Sequence, residues 1–283
     1  MIHHNSISEI QTLLETYGLS LKKRFGQNFL IDAGARRRIS GTIAEELAQV
    51  PENTGELWEI GPGIGSLTAE LVQLGRPIRL FEIDHGLIRV LRDQYGDELA
   101  IEEGDFVRTV EAHEHAAPAA IVGNLPYSSA SSMVARIIES ALTVPVMVFL
   151  VQAELADRLG ASVGGKEYSA LSVLVQSHYT VRSAFDIGGG SFYPRPRVGS
   201  TVIILRAVPE RPSREVSLQT SRIARRAFGQ RRKTLRNTLR PYLEALTAEG
   251  IDPGLRPEQL TPAQFRDIAR RVAEDDVGRL EEA

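Results

Sequence analysis

The stretch Leu57-Trp58-Glu59-Ile60-Gly61-Pro62-Gly63-Ile64-Gly65 constrains this chain more than any other. Apolar, β-favouring residues run into three alternating glycines, and Ser66-Leu67-Thr68-Ala69-Glu70-Leu71-Val72 follows as a helix start. Strand, glycine-rich turn and helix together make the βα unit of a nucleotide-binding sheet. Glycine lets the backbone approach a ligand closely, and free N–H groups at the helix start suit the ligand's polar groups. The spacing is E-x-G-x-G-x-G. A dinucleotide fingerprint would need glycine at position 66, where Ser66 stands.

The flanking sequence repeats the strand–helix alternation. Residues 77–84, 99–105, 119–124 and 144–151 read as further strands, with a helix over 86–95 and late strands over 179–187 and 201–206. This pattern predicts an α/β, Rossmann-like, mostly parallel sheet covered on both faces. Ligands of such sheets lie beyond the carboxyl ends of the strands. Glu59, Glu82, Asp84, Asp105 and Asn124 all fall at such ends. Glu82, one strand beyond the glycine turn, is placed to accept from ribose hydroxyls, and Asp105 from an adenine amino group.

Gly123-Asn124-Leu125-Pro126-Tyr127 is the second informative stretch. A buried strand leads into a polar amide, a proline-fixed bend and an aromatic ring. Methylation of an exocyclic amine needs this combination. Adenine N6 is a poor nucleophile because its lone pair is delocalised into the ring. Two acceptors, the Asn124 amide oxygen and the Leu125 carbonyl, would hold the N6 hydrogens, and Tyr127 could stack on the base.

Before this core, residues 8–17 and 33–50 have helical spacing, with Gly18 and Pro51 as stops. Lys22-Lys23-Arg24-Phe25-Gly26-Gln27-Asn28-Phe29-Leu30 between them reads as a lid, with amides for a polar ligand and cations for phosphate. Phe192-Tyr193-Pro194-Arg195-Pro196-Arg197-Val198 reads as a rigid loop able to stack a base and touch phosphate. A boundary near 208 separates domain 1–208 from 209–283, where only helices are expected, over 215–228, 231–246 and 262–273. Residues 222–236 hold many cations and no acid. In a chain of net charge −3, so one-sided a run reads as a nucleic-acid patch. With no cysteine and six scattered histidines, disulfides and thiolate chemistry are excluded, and no metal is expected. Neither a leader nor a membrane-spanning run is read in the sequence, so a cytoplasmic location is expected.

The E-x-G-x-G-x-G spacing resembles that of S-adenosylmethionine-dependent methyltransferases. The ordered set of 23–30, 59–63, Glu82-Ile83-Asp84, Gly104-Asp105, 123–127, 192–200 and 227–235 resembles the ribosomal RNA adenine N6,N6-dimethyltransferase family, and within it the bacterial small-subunit (16S) group. The resemblance covers nearly the whole chain. It implies that Asn28, Leu30, Gly61, Gly63, Glu82, Asp105 and Asn124 contact S-adenosylmethionine. It implies that Asn124, Leu125 and Tyr127 hold the target amine and base, and that Phe192 stacks the flipped adenine. Lys22, Lys23, Arg24, Arg195, Arg197, Arg225, Arg226, Arg231, Arg232 and Lys233 are the expected RNA contacts. The implied substrate is 16S rRNA in the immature 30S subunit, dimethylated by a monomer at two adjacent adenines of the 3′-terminal stem-loop.

The chain departs from the family pattern at Ser128, Arg195 and Gly199. A large-subunit (23S) methylase of the macrolide-resistance type usually has Ile where Leu125 stands. A non-catalytic assembly factor would not need the acid, glycine and Asn set, and a nicotinamide dehydrogenase would need the third fingerprint glycine.

Overall fold

The computed structural model describes residues 6–21, 26–51, 55–113 and 115–281, with side chains described to residue 274. The chain divides into two compact units. The first comprises Met1–Met133, Leu142–Ala156 and Arg182–Arg206, and the second Val134–Ala141, Asp157–Val181 and Ala207–Ala283. The last segment of the second unit begins at Ala207. That unit also takes in two earlier stretches, which a single cut along the chain assigns to the first.

In chain order the elements begin with α1 (Ile7–Thr16), β1 (Phe29–Leu30), α2 (Ala33–Leu47), β2 (Leu57–Ile60), α3 (Thr68–Leu71) and β3 (Ile78–Glu82). They continue with α4 (His85–Tyr95), β4 (Ala100–Glu103), α5 (Phe106–Thr109), β5 (Ala120–Asn124), α6 (Ala130–Glu139), β6 (Val146–Gln152) and α7 (Ala153–Leu159). Local chemistry sets the helix starts. Ser6 accepts from Glu9 N at 3.2 Å while the Glu9 carboxylate accepts from Ser6 N at 3.0 Å, a capping box that opens α1. Asp32 caps α2 through Ala35 N at 3.0 Å, and Asp84 caps α4 through Gly86 N at 3.0 Å.

The remaining elements are α8 (Ala170–Gln176), β7 (Tyr179–Ile187), β8 (Phe192–Tyr193), β9 (Ser200–Ala207), α9 (Arg214–Phe228), α10 (Leu235–Thr238), α11 (Leu243–Ala248) and α12 (Pro262–Glu281). Seven strands form one sheet in the order β4-β3-β2-β5-β6-β9-β7. The pairs from β4 through β6 are parallel, and β9 runs antiparallel to β6. Strand alternation divides the core. Leu57, Leu80, Val122 and Val148 point into a cluster with Ile39, Ile43 and Leu47 of α2. On the other parity, Trp58 and Phe81 meet at a tilt with 5.0 Å between centroids, and Phe81 meets Phe106 edge-on at 5.1 Å. Burial on both faces explains the near-continuous apolar runs of the central strands. β1 and β8 make a separate two-stranded ladder, pairing Phe29 with Tyr193 and Leu30 with Phe192.

Two expectations change. The helix after the glycine turn begins at Thr68, not Ser66, because residues 63–67 stay in a turn and helical bonding starts with Ala69 N donating to Gly65 O at 3.1 Å. In the second unit, the helix expected over 231–246 is broken into α10, a 3-10 turn at Arg240–Tyr242 and α11. Pro241 has no N–H to continue a helix. The Thr238 carbonyl freed at the break accepts instead from Arg226 Nε at 2.9 Å. Around these pieces, Ile223, Ala224 and Ala227 of α9 pack with Leu235, Leu246, Phe265 and Ile268 in a core of their own.

Candidate active site

The strand order turns back between β2 and β5, since β3 and β4 extend one way and β6 the other. At that switch point, beyond the carboxyl ends, lies a cavity of about 300 Å³. The turn after β2 forms one wall. Gly61, Gly63 and Gly65 have φ of +67°, +62° and +83°, a conformation that side chains disfavour. At Gly63 space matters too, because a Cβ there would stand 3.1 Å from the Phe29 ring. Two N–H groups of the turn itself, ahead of the helix start, are engaged within the chain. Gly63 N donates to Glu82 Oε2 at 3.0 Å and Gly65 N to Pro62 O at 2.9 Å. The turn thus grips the acid of the next strand.

Glu82, 5 % exposed, also accepts from Ile83 N and Asp84 N, both at 2.9 Å and both at Oε1. An ionised carboxylate offers about four lone-pair sites. Three are filled by backbone, so Oε2 keeps one for a hydroxyl in the cavity. Burial pushes the Glu82 carboxyl up to about 7, against the three backbone bonds that favour its ionised form. Glu59 is more deeply enclosed, 1 % exposed, and accepts from the Thr68 hydroxyl at 2.7 Å. Burial, reinforced by the neighbouring Glu82 charge, raises it to about 8. Of the two acids, Glu59 is thus held further toward its neutral form than Glu82. Asp105 caps α5 by accepting from Val107 N at 3.1 Å through Oδ1, and lines the cavity as well.

Asn124 ends β5, level with the glycine turn. Its Nδ2 donates to the carbonyl of Asn28 at 2.8 Å. A carbonyl only accepts, so this bond fixes the amide orientation and leaves Oδ1 as its free-standing acceptor. Asn28 itself is held by its Nδ2 donating to Gly26 O at 3.0 Å. Leu125 N donates to Leu150 O at 3.1 Å, which ties the bend to β6. The Tyr127 hydroxyl lies 2.6 Å from that of Ser200, and burial raises its phenol.

The structure brings Asn28, Leu30, Gly61, Gly63, Glu82, Asp105, Asn124, Leu125 and Tyr127 to this one cavity. Phe192 is not among its walls. It is 2 % exposed and packs in the sheet's core, because its register with Leu30 turns it inward. Sequence reading gave no role to Ser66, Phe106 or Met133, which also line the cavity. The Ser66 hydroxyl is buried with no hydrogen-bond partner among the described residues. Only Ser66's place after the third glycine could have signalled it.

The expected RNA contacts fall into groups. Lys22, Lys23 and Arg24 lie outside the described residues. Arg195 and Arg197 are exposed. In the second unit, Arg225 pairs with Glu139 at 2.6 Å, Arg226 caps α10, and Arg231 donates to Gly165 O at 2.9 Å. Arg232 and Lys233 are exposed and have no side-chain partner given among the described residues.

Sheet order, glycine turn and strand-end acids define a Rossmann-like methyltransferase fold. Two solved structures share it. A dimethyladenosine transferase from Plasmodium falciparum matches with a TM-score of 0.61 and 21 % identity, over 82 % of this chain and 96 % of that one. The 23S rRNA methyltransferase ErmE matches with a TM-score of 0.59 and 23 % identity, over 86 % and 98 %. Residues 18–274 match the model of the ribosomal RNA adenine dimethylase family, and the chain belongs to that family. It is 40 % identical over 271 residues to the ribosomal RNA small subunit methyltransferase A of Pseudomonas aeruginosa, covering 92 % of this chain and 97 % of that protein.

Proposed function

We propose that this protein transfers methyl groups from S-adenosylmethionine to the N6 atoms of two adjacent adenosines in the 3′-terminal stem-loop of 16S rRNA, two to each. It acts as a monomer on the immature small subunit in the cytoplasm. The observation that carries the reading is the Asn124 amide, locked by the Asn28 carbonyl with its oxygen left as acceptor beside Leu125-Pro126-Tyr127. The similarity to a small-subunit methyltransferase over nearly all of both chains supports the choice of RNA.

The cavity's polar groups fit the donor. Glu82 has one acceptor site left for a ribose hydroxyl, Asp105 has Oδ2 for an adenine amine, and the unpartnered Ser66 hydroxyl suits the polar end of an amino acid. When bound, the donor supplies an electrophilic methyl group on a sulfonium. The chain's own residues position the amine. Asn124 Oδ1 and the Leu125 carbonyl accept the two N6 hydrogens in the first transfer and one of them accepts the single hydrogen that remains in the second, which draws the lone pair out of the ring and favours the developing tetrahedral nitrogen; each transfer releases one N6 proton to solvent. Tyr127 offers its ring face to the unstacked base, offsetting part of the few kcal/mol that flipping costs. Positioning and electrostatics are the chain's contribution to rate. Arg232 and Lys233 of the second unit, together with Arg195 and Arg197, hold phosphates.

Primer extension across both rRNAs, after incubation with the purified protein, tests the substrate. Stops confined to the 3′ end of 16S rRNA are expected. Stops in 23S rRNA alone would overturn the reading.

A further inference from the structure

The hydroxyls of Tyr127 and Ser200 meet at 2.6 Å across 73 residues of sequence. Their supports differ. Ser200 is the first residue of β9, 1 % exposed, in register with Gln152 at the end of β6. Its backbone lies in the β6–β9 ladder, the neighbouring Gly199 O accepts from Ala153 N at 3.0 Å, and the side chain of Thr201 on its other side donates to the Asp186 carboxylate at 2.7 Å. Its Oγ is a post fixed by the sheet. Tyr127 sits in the bend after β5, on the cavity wall and only half-buried. A ring in that position keeps freedom about χ1 and χ2 unless its far end is tied. The Ser200 hydroxyl is the tie, made at the one polar atom of the ring.

We propose that Ser200 is a positioning residue for methyl transfer, holding the plane of the Tyr127 ring so that its face is ready for the target adenine. The inference rests on the stacking role given to Tyr127 above. It also gives a reason for serine at the end of the Pro194–Ser200 loop, whose tip residues Arg195, Arg197, Val198 and Gly199 are exposed.

The test is a double-mutant cycle on the full chain, with undermethylated 30S subunits as substrate. Ser200→Ala and Tyr127→Phe each remove the bond while leaving the ring. Each is expected to lower kcat about fivefold to tenfold, the effect of one lost neutral hydrogen bond felt in the transition state. S-adenosylmethionine affinity should stay unchanged. The double variant is expected to be no slower than the slower single one, since both remove the same interaction, and Ser200→Thr should restore turnover. Wild-type kcat in Ser200→Ala would overturn the inference, as would additive losses or a lowered melting temperature with kcat intact. Should Ser200→Ala fail to fold, Tyr127→Phe alone decides, and wild-type kcat there is equally fatal. Tyr127→Ala separates the two claims. Its inactivity together with a fully active Ser200→Ala sinks only the Ser200 role, whereas its full activity removes the stacking reading and the inference with it.

Discussion

The side-chain amide of Asn124 donates to the main-chain carbonyl of Asn28 at 2.8 Å, joining the end of β5 to the segment before β1 across 96 residues. Because the partner is a carbonyl, the bond takes one of the two N–H donors of the amide and fixes which end is the oxygen. The Gly26–Leu30 stretch thus does more than line the cavity; it sets the orientation of the Asn124 amide.

Replacing Asn124 follows directly. Asn124→Ala is expected to lower kcat about a hundredfold to a thousandfold, the scale of losing one preorganised group at a developing charge. Affinity for S-adenosylmethionine, measured by titration calorimetry, should change less than about threefold. Near-normal methylation of 30S subunits would remove Asn124 from its amine-holding role.

The Glu82 carboxyl gives donor binding a pH dependence. Hydroxyl donors favour the ionised form, so a bound ribose lowers the Glu82 pKa from its raised value of about 7. Binding then releases a proton below that value. Affinity is expected to fall up to about tenfold per pH unit below 7 and to level off above it. Calorimetry in two buffers of different ionisation enthalpy measures the proton release, and Glu82→Gln should abolish it.

The cationic run separates into structural and free members. Arg232→Ala with Lys233→Ala is expected to flatten the slope of log K against log salt by about 0.7–0.9 per lost phosphate contact, with stability unchanged. Arg226→Ala removes the Thr238 cap and should cost about 1 kcal/mol of stability. An unchanged slope in the first variant would make those cations a solvated surface.

His178 places a second pH signature in the helical unit. It is 5 % exposed, and burial together with the nearby Arg211 and Arg266 charges lowers its pKa to about 4. The unfolded chain, with the ordinary value of 6.5, binds more protons at this site between those limits, so the His178 contribution to stability rises with pH from 4 to 6.5, opposite in sign to that of the raised carboxyls Glu59 and Glu82. Denaturant titration of the wild type and of His178→Gln side by side isolates it: the difference in stability between them should grow by up to about 3 kcal/mol over that window. A difference that does not change with pH would contradict the assignment.

Much of this was legible in the chain. Short apolar runs closing on Glu82, Asp105 and Asn124 marked both the strands and the rim of the site, because a parallel sheet puts its ligand where those strands end. What the residues could not reveal is pairing over distance. Nothing local to Asn124 or Asn28 announces their bond, and Tyr127 carries no mark of Ser200. Phe192, among prolines and arginines, read as an exposed stacking ring; its pairing with Leu30 turns it into the core. The uniform run around Arg231 hid a helix end, a turn and the Pro241 break, and charge alone does not distinguish an arginine that caps a carbonyl from one that is free.

The central claim is that this site dimethylates adjacent adenosines near the 3′ end of 16S rRNA. Mass spectrometry of that 3′ fragment from cells lacking the protein tests it most directly, with the wild-type and Asn124→Ala genes returned on a plasmid. The account predicts a fragment lighter by four methyl groups in the deletion strain, restored by the wild-type gene and not by Asn124→Ala. A fully methylated fragment in the deletion strain would contradict it.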